Sequence, residues 1–155
     1  MKLLVTGGCG FIGSNFILEQ VIEKNNTVVN IDKLTYAGNT DNLEKINNNP
    51  NYKLVEGDIC DNSLVIDTIK NFGPNAIIHF AAESHVDRSI EDPLKFVKTN
   101  ILGTANILNA SLSYFKSDQN QNFRFMHVST DEVYGSISDN EFFTENSPYN
   151  PSSPY

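Results

Sequence analysis

Three glycines and one aspartate set the chemistry open to this chain. Gly7, Gly10 and Gly13 fall at three-residue intervals in Val5-Thr6-Gly7-Gly8-Cys9-Gly10-Phe11-Ile12-Gly13. The apolar run Leu3-Leu4-Val5 precedes them, and the spacing of Ile12, Phe16, Ile17 and Val21 predicts a helix with these four on one face. Strand, glycine turn and helix in that order make a cradle for a pyrophosphate. The helix N-terminus offers unpaired N–H groups and a partial positive charge, and glycine lets the backbone turn sharply and lie close to the phosphates. The pattern is Gly-x-x-Gly-x-x-Gly and not G-x-G-x-x-G, and a glycine turn alone is also an ordinary way into a helix. Asp32 supplies the second signal. It closes the apolar run Thr27-Val28-Val29-Asn30-Ile31, at about the 20-residue interval where a carboxylate meets the adenosine ribose hydroxyls.

Further polar groups follow each later apolar run. Gly57-Asp58-Ile59 comes after the third, where Asp58 either accepts from an adenine amino group or serves as a turn residue. Ala81-Ala82-Glu83-Ser84-His85-Val86-Asp87-Arg88-Ser89 comes after the fourth, its two small residues leaving room for a ligand near the backbone. Ser129-Thr130-Asp131-Glu132-Val133-Tyr134-Gly135 comes after the fifth. His79 and His127 fall inside apolar runs and read as sheet or core residues. His85 lies in a loop, equally placed for substrate or for a structural bond. No grouping has metal-ligand spacing, and Cys9 and Cys60 read as two reduced thiols.

The elements that must position these groups are five strands near 2–6, 27–31, 52–56, 76–80 and 123–129. They alternate with helices near 11–24, 40–47, 62–71 and 93–115. Apolar, non-alternating strands between helices predict an α/β fold with a doubly wound parallel sheet, whose ligands bind outside the carboxyl ends of the strands. Asp92-Pro93 opens the last helix, and Leu94, Val97, Ile101, Leu108, Leu112 and Phe115 keep helical spacing, which reads as core or, second, as a subunit contact. Residues 136–155 are polar and turn-rich, a surface loop or linker.

The 155 residues suffice for one domain with a real core. A net charge of −8 disfavours nucleic acid and anionic membrane as partners. No stretch has the length of a membrane span and no secretory pattern opens the chain, so a cytoplasmic protein is expected.

On these residues the chain resembles the extended short-chain dehydrogenase/reductases. More narrowly it resembles the nucleotide-sugar 4,6-dehydratases that act on dTDP-glucose. The resemblance spans essentially the whole chain. The glycine motif is specific only to the superfamily, whereas Thr130-Asp131-Glu132 points to the dehydratases. The resemblance implies a Rossmann-type domain over 1–155 that binds NAD. Gly7, Gly10, Phe11, Ile12 and Gly13 would serve from the first strand's turn, and Asp32, Lys33, Leu34 and Thr35 from the second. Asp58 and Ile59 would serve from the third, Phe80, Ala81, Ala82 and Ser84 from the fourth, and Thr99 from the helix beyond.

The same resemblance implies catalytic roles for Thr130, Asp131, Glu132 and Tyr155, with Ser84 and Thr130 also touching the sugar nucleotide. Tyr155 would take the C4 hydroxyl proton as C4 is oxidised. Glu132 would take the C5 proton, and Asp131 would protonate the departing C6 hydroxyl before C6 is reduced. Two adjacent carboxyls in opposite roles need environments that separate their pKa values. Tyr155 takes the place of the tyrosine of a Y-x-x-x-K motif whose lysine would fall beyond the chain. A fragment is therefore expected, inactive alone, lacking the substrate domain and forming a homodimer when complete. A 4-epimerase or another nucleotide-sugar dehydratase of the same fold, or a non-catalytic NAD-binding module, are the competing readings.

Overall fold

The computed structural model describes residues 1–118, 122–138 and 141–155. Its centre is a parallel sheet of β1 (Lys2–Thr6), β2 (Thr27–Asp32), β3 (Tyr52–Glu56), β4 (Ala76–His79) and β5 (Arg124–His127), in the order β3-β2-β1-β4-β5. Leu4 pairs with Val29 on one side and Ile77 on the other. The order reverses at β1, so a crevice opens between the carboxyl ends of β1 and β4.

Both faces of β1, β2 and β4 are covered, which is why these strands read as nearly unbroken apolar runs, whereas β5 is largely exposed. Leu3, Val5 and Val28 meet Ile17, Val21, Leu43 and Ile46 on one face. The elements there are α1 (Phe11–Leu18) with its π-helical continuation Glu19–Glu23, and a 3₁₀ segment Thr40–Ile46. Leu4, Val29, Ile31 and Ile77 meet Val65, Ile69, Ile107 and Ala110 on the other, carried by α2 (Asn62–Phe72) and α5 (Thr104–Asp118). Asp61 caps α2 by accepting from Leu64 N at 3.0 Å.

The doubly wound α/β expectation holds, with local corrections. The helix near 40–47 is a 3₁₀ segment, opened by Asn39, whose side chain accepts from Asp41 N. The loop after β4 contains a helix, α3 (Val86–Glu91), followed by α4 (Pro93–Phe96) and a π-helical stretch Val97–Gly103 that runs into α5. Leu94, Val97, Ile101, Leu108, Leu112 and Phe115 do not enter the core. They are exposed, because the sheet takes the opposite face of α5 through Ile107 and Ala110, and Phe96 is the buried residue of α4. Ile12 likewise points outward with Phe11 while Ile17 and Val21 are buried. The stretch over 136–155 has no helix or strand among its described residues; 139–140 lie outside them. No helix among the described residues is long and apolar enough to cross a membrane.

Candidate functional site

The glycine turn closes the carboxyl end of β1. Gly7 adopts φ +72°, and a Cβ there would stand 2.6 Å from the Ala81 backbone, so only glycine lets β1 turn this close to β4. A Cβ on Gly13 would stand 2.5 Å from Gly7 O, which fixes the approach of α1 to the turn. Gly10 differs. Among the described residues, its chain neighbours aside, a Cβ there would meet nothing nearer than Gly7 O at 3.4 Å and Ala37 O at 3.9 Å. The chain itself leaves that space open. Ser14 N is the first α1 donor to find a carbonyl, Gly10 O at 2.9 Å, and no side chain caps the helix. The first-turn N–H groups at Phe11, Ile12 and Gly13 are thus the orphan donors of a helix start.

Two β2 side chains hold the turn from beneath. Asn30 Oδ1 accepts from Gly8 N at 2.9 Å, and Asn30 Nδ2 donates to Tyr52 OH at 3.3 Å and Cys9 Sγ at 3.4 Å. Asp32 Oδ2 accepts from Cys9 N at 2.8 Å and Oδ1 from Leu34 N at 2.9 Å. Asp32 is buried, yet each oxygen keeps a lone pair for a further donor. Burial and the Asp32 charge push the Cys9 thiol up to about 11, and burial pushes Tyr52 up to about 12, so both stay protonated at neutral pH. Sequence reasoning missed Asn30. The signal was a polar residue centred in an otherwise apolar buried strand.

At the ends of β2 and β3, Lys33 Nζ lies 2.7 Å from Asp58 Oδ2, while Asp58 Oδ1 accepts from Cys60 N at 2.9 Å. Burial raises the Asp58 pKa, but the bonds from Lys33 and Cys60 outweigh it and the carboxyl titrates below its usual range. The same bond raises Lys33. Asp58 thus holds the turn after β3 through Oδ1 and pairs with Lys33 through Oδ2. The Ile59 side chain is in the core and its carbonyl accepts from Asn106 at 2.6 Å, so a ligand would meet Ile59 through its backbone and not its side chain. Leu34 is left-handed at φ +53° and half-buried, with Thr35 beside it accepting from Gly38 N at 3.0 Å.

At β4, His79 is enclosed between Thr6 Oγ1 at 2.5 Å and Thr104 Oγ1 at 3.0 Å. Phe80 packs on Phe16, and Ala81 N donates to Thr6 Oγ1 at 3.4 Å. Ala82, Ser84 and His85 are exposed, and Thr99 is half-buried in the π-helical stretch. Glu83 is buried. Asn100 grips its main chain at both N–H and carbonyl, Lys95 lies 3.0 Å from Oε1, and Oε2 has no partner among the described residues. His127, expected as a sheet or core residue, is exposed at the end of β5, its ring 5.2 Å from His79.

After β5, Thr130 caps a 3₁₀ turn, Asp131–Tyr134, by accepting from Glu132 N at 3.2 Å. Its hydroxyl donates to Asp131 Oδ1 at 3.4 Å. Thr130, Asp131 and Glu132 therefore share one turn, with Asp131 exposed and Glu132 half-buried. Asn150 N donates to Val133 O at 3.0 Å, which ties the following segment back to this turn. Five residues on, Tyr155 sets its ring edge against Phe96 of α4, 6.1 Å between centroids.

A parallel sheet reversing at β1, with a glycine turn and an acid closing β2, defines a doubly wound α/β protein of the Rossmann type. A family model described as GDP-mannose 4,6 dehydratase matches residues 4–155, and the chain belongs to that family. It is 50% identical over 155 residues to a dTDP-glucose 4,6-dehydratase of Xanthomonas campestris pv. campestris, covering 98% of this chain and 44% of that protein. It is 48% identical over 158 residues to the dTDP-glucose 4,6-dehydratase of Neisseria meningitidis serogroup B, covering 99% and 44%. The crystal structure of a Streptomyces venezuelae dTDP-glucose 4,6-dehydratase with NAD bound superposes with a TM-score of 0.88 at 45% identity, over 100% of this chain and 47% of that one. The chain thus spans less than half the length of these relatives.

Proposed function

We propose that this chain binds NAD across the carboxyl ends of β1, β2 and β4 and supplies that half of a dTDP-glucose 4,6-dehydratase, a lyase. The observation that carries the reading is the open position at Gly10 in a turn pinned by Asn30 and Asp32. The α1 N–H groups would hold the pyrophosphate. Asp32 would take the ribose hydroxyls on its remaining lone pairs, and Ala81 and Ala82 would leave room beyond β4. When bound, NAD supplies the acceptor for the hydrogen leaving C4 of the sugar and the donor that later reduces C6.

The chain's own residues move the protons. Tyr155 takes the proton of the C4 hydroxyl, with Thr130 bonding the same hydroxyl. A ketone at C4 acidifies C5–H, and Glu132 accepts that proton. Asp131, protonated, gives its proton to the C6 hydroxyl as it leaves as water. Residues 1–155 form the NAD-binding unit, and sugar-nucleotide contacts beyond Ser84 and Thr130 belong to the length that relatives have in addition. The exposed apolar row Leu94, Ile101, Leu108 and Leu112 supports a homodimer built on the helices after β4.

The test is to extend the chain with a relative's second half and supply dTDP-glucose. Formation of the 4-keto-6-deoxy sugar is expected. Formation of the C4 epimer alone would replace the dehydratase with an epimerase. Binding of NAD without turnover would leave a non-catalytic module.

A further inference from the structure

The loop after β2 holds on to both sides of the crevice. On the near side it is tied to the glycine turn: Leu34 N donates to Asp32, and Asn39 N and Asn42 Nδ2 each donate to Cys9 O at 3.0 Å. On the far side Tyr36 meets the helices that follow β4. The Arg88 guanidinium of α3 lies 3.9 Å from its ring centroid, and Lys95 of α4 lies 5.4 Å away. Lys95 is itself anchored on the buried Glu83.

In the sheet, β1 lies between β2 and β4. A loop that leaves β2 and touches helices leaving β4 must pass over the carboxyl end of β1, where the glycine turn is. Ala37 O, 3.9 Å from where a Gly10 Cβ would sit, shows how near this loop comes to the open position. Tyr36 is 50% exposed and belongs to neither apolar cluster, so core packing does not account for its placement. Its held geometry comes from two cations at one aromatic ring.

Resting on the reading that NAD is bound here and returns within one turnover what it takes, we propose that Tyr36, clasped by Arg88 and Lys95, is a strap across the dinucleotide. It sets the release rate and keeps NAD resident between turnovers. Tyr36 and Arg88 act as positioning residues and take no part in proton transfer.

The test measures release of radiolabelled NAD from loaded protein after a chase with excess unlabelled NAD. Tyr36→Leu and Arg88→Met should each speed release at least threefold, the scale of a lost cation–π contact. Tyr36→Phe, which keeps the ring, should stay within twofold of the parent protein. The double variant should be no faster than the faster single one, since unclasping either end opens the same strap. The melting temperature without nucleotide should fall by no more than the few degrees one exposed cation–π contact accounts for, and Tyr36→Phe should leave it unchanged, so faster release at a near-parent melting temperature separates the strap from a merely structural contact. If Tyr36→Leu does not fold, Arg88→Met carries the test alone. Less than a threefold change in the folded variants overturns the strap while leaving the cofactor reading in place. A parent protein that captures no NAD overturns both.

Discussion

Thr6 Oγ1 and His79 Nδ1 stand 2.5 Å apart, both closed off from solvent, at the seam where β1 meets β4. Thr104 Oγ1 takes the other ring nitrogen at 3.0 Å. A neutral imidazole satisfies this arrangement, with one nitrogen donating and the other accepting. Burial, aided by the neighbouring His127, lowers the His79 pKa to about 4.

A pH dependence follows from that seam. The folded pKa lies below the ordinary histidine value of about 6.5, so between these limits the unfolded chain binds the extra proton. The stability linked to His79 is complete above about pH 6.5 and is lost as pH falls towards 4. The size is roughly 3 kcal/mol for a shift of this extent. Urea midpoints at pH 7 and pH 4.5 measure it. His79→Gln should flatten the slope between them whatever it does to the level. An unchanged slope would remove His79 from the account.

The glycines of the turn should behave differently from one another. Gly10→Ala meets open space, and φ −74° with ψ 171° suits an L residue, so stability without nucleotide should change by less than about 1 kcal/mol. NAD affinity should fall at least tenfold, because the methyl takes the ligand's place. Gly7→Ala should cost about 1–3 kcal/mol from the positive φ alone, plus the clash with Ala81. Thermal melting and calorimetric NAD titration of both variants check the contrast. Strong destabilisation by Gly10→Ala would mean that the space serves the fold.

What could be read from the sequence followed from period and punctuation. Five apolar runs placed the strands, and the glycine turn and Asp32 fixed where β1 and β2 end. The inward face of the 93–118 helices could not be read, because Leu94, Ile101 and Leu108 keep a helical apolar period just as Phe96, Ile107 and Ala110 do. Only the sheet decides between two apolar stripes. Nor could Asn30 be recognised, since its partner is the backbone of Gly8, a contact between distant segments that leaves no local pattern.

Asn30→Leu should therefore hurt more than its single site suggests. It leaves the Gly8 N–H buried without an acceptor, which costs about 1–3 kcal/mol, and it removes a donor to Tyr52. Urea unfolding should show the lower midpoint, and NAD binding should weaken as the turn loosens. Unchanged stability and affinity together would show that Asp32 alone fixes the turn.

NAD should bind at least tenfold more tightly than NADP. A 2′-phosphate would face the Asp32 carboxylate, and charges about 4 Å apart near a protein surface interact by roughly 4 kcal/mol. Lys33, the nearest cation in sequence, is held by Asp58 at 2.7 Å and is not free to offset that repulsion. Titration of both dinucleotides decides the point, and equal affinities would refute the role given to Asp32.

The acidic turn after β5 can be tested apart from cofactor binding, because Asp131 and Glu132 sit on a 3₁₀ turn capped by Thr130, away from the β2 groups that pin the glycine turn. In the chain extended with a relative's second half, Glu132→Gln should leave NAD affinity unchanged, since an amide replaces the carboxylate without altering shape. An amide cannot accept the C5 proton, so elimination should slow by ~10²–10⁴, the usual contribution of a positioned base. Solvent deuterium should then fail to enter C5, whereas the parent protein should wash it in. Asp131→Asn should give a milder loss, because its amide can still bond the departing C6 hydroxyl. A 4-epimerase has no need to remove the C5 proton, so deuterium at C5 in the parent protein separates the two reactions without any variant. If Glu132→Gln forms the 4-keto product at the parent rate with deuterium still entering C5, the base lies elsewhere, and the Thr130-Asp131-Glu132 turn loses the role given to it here.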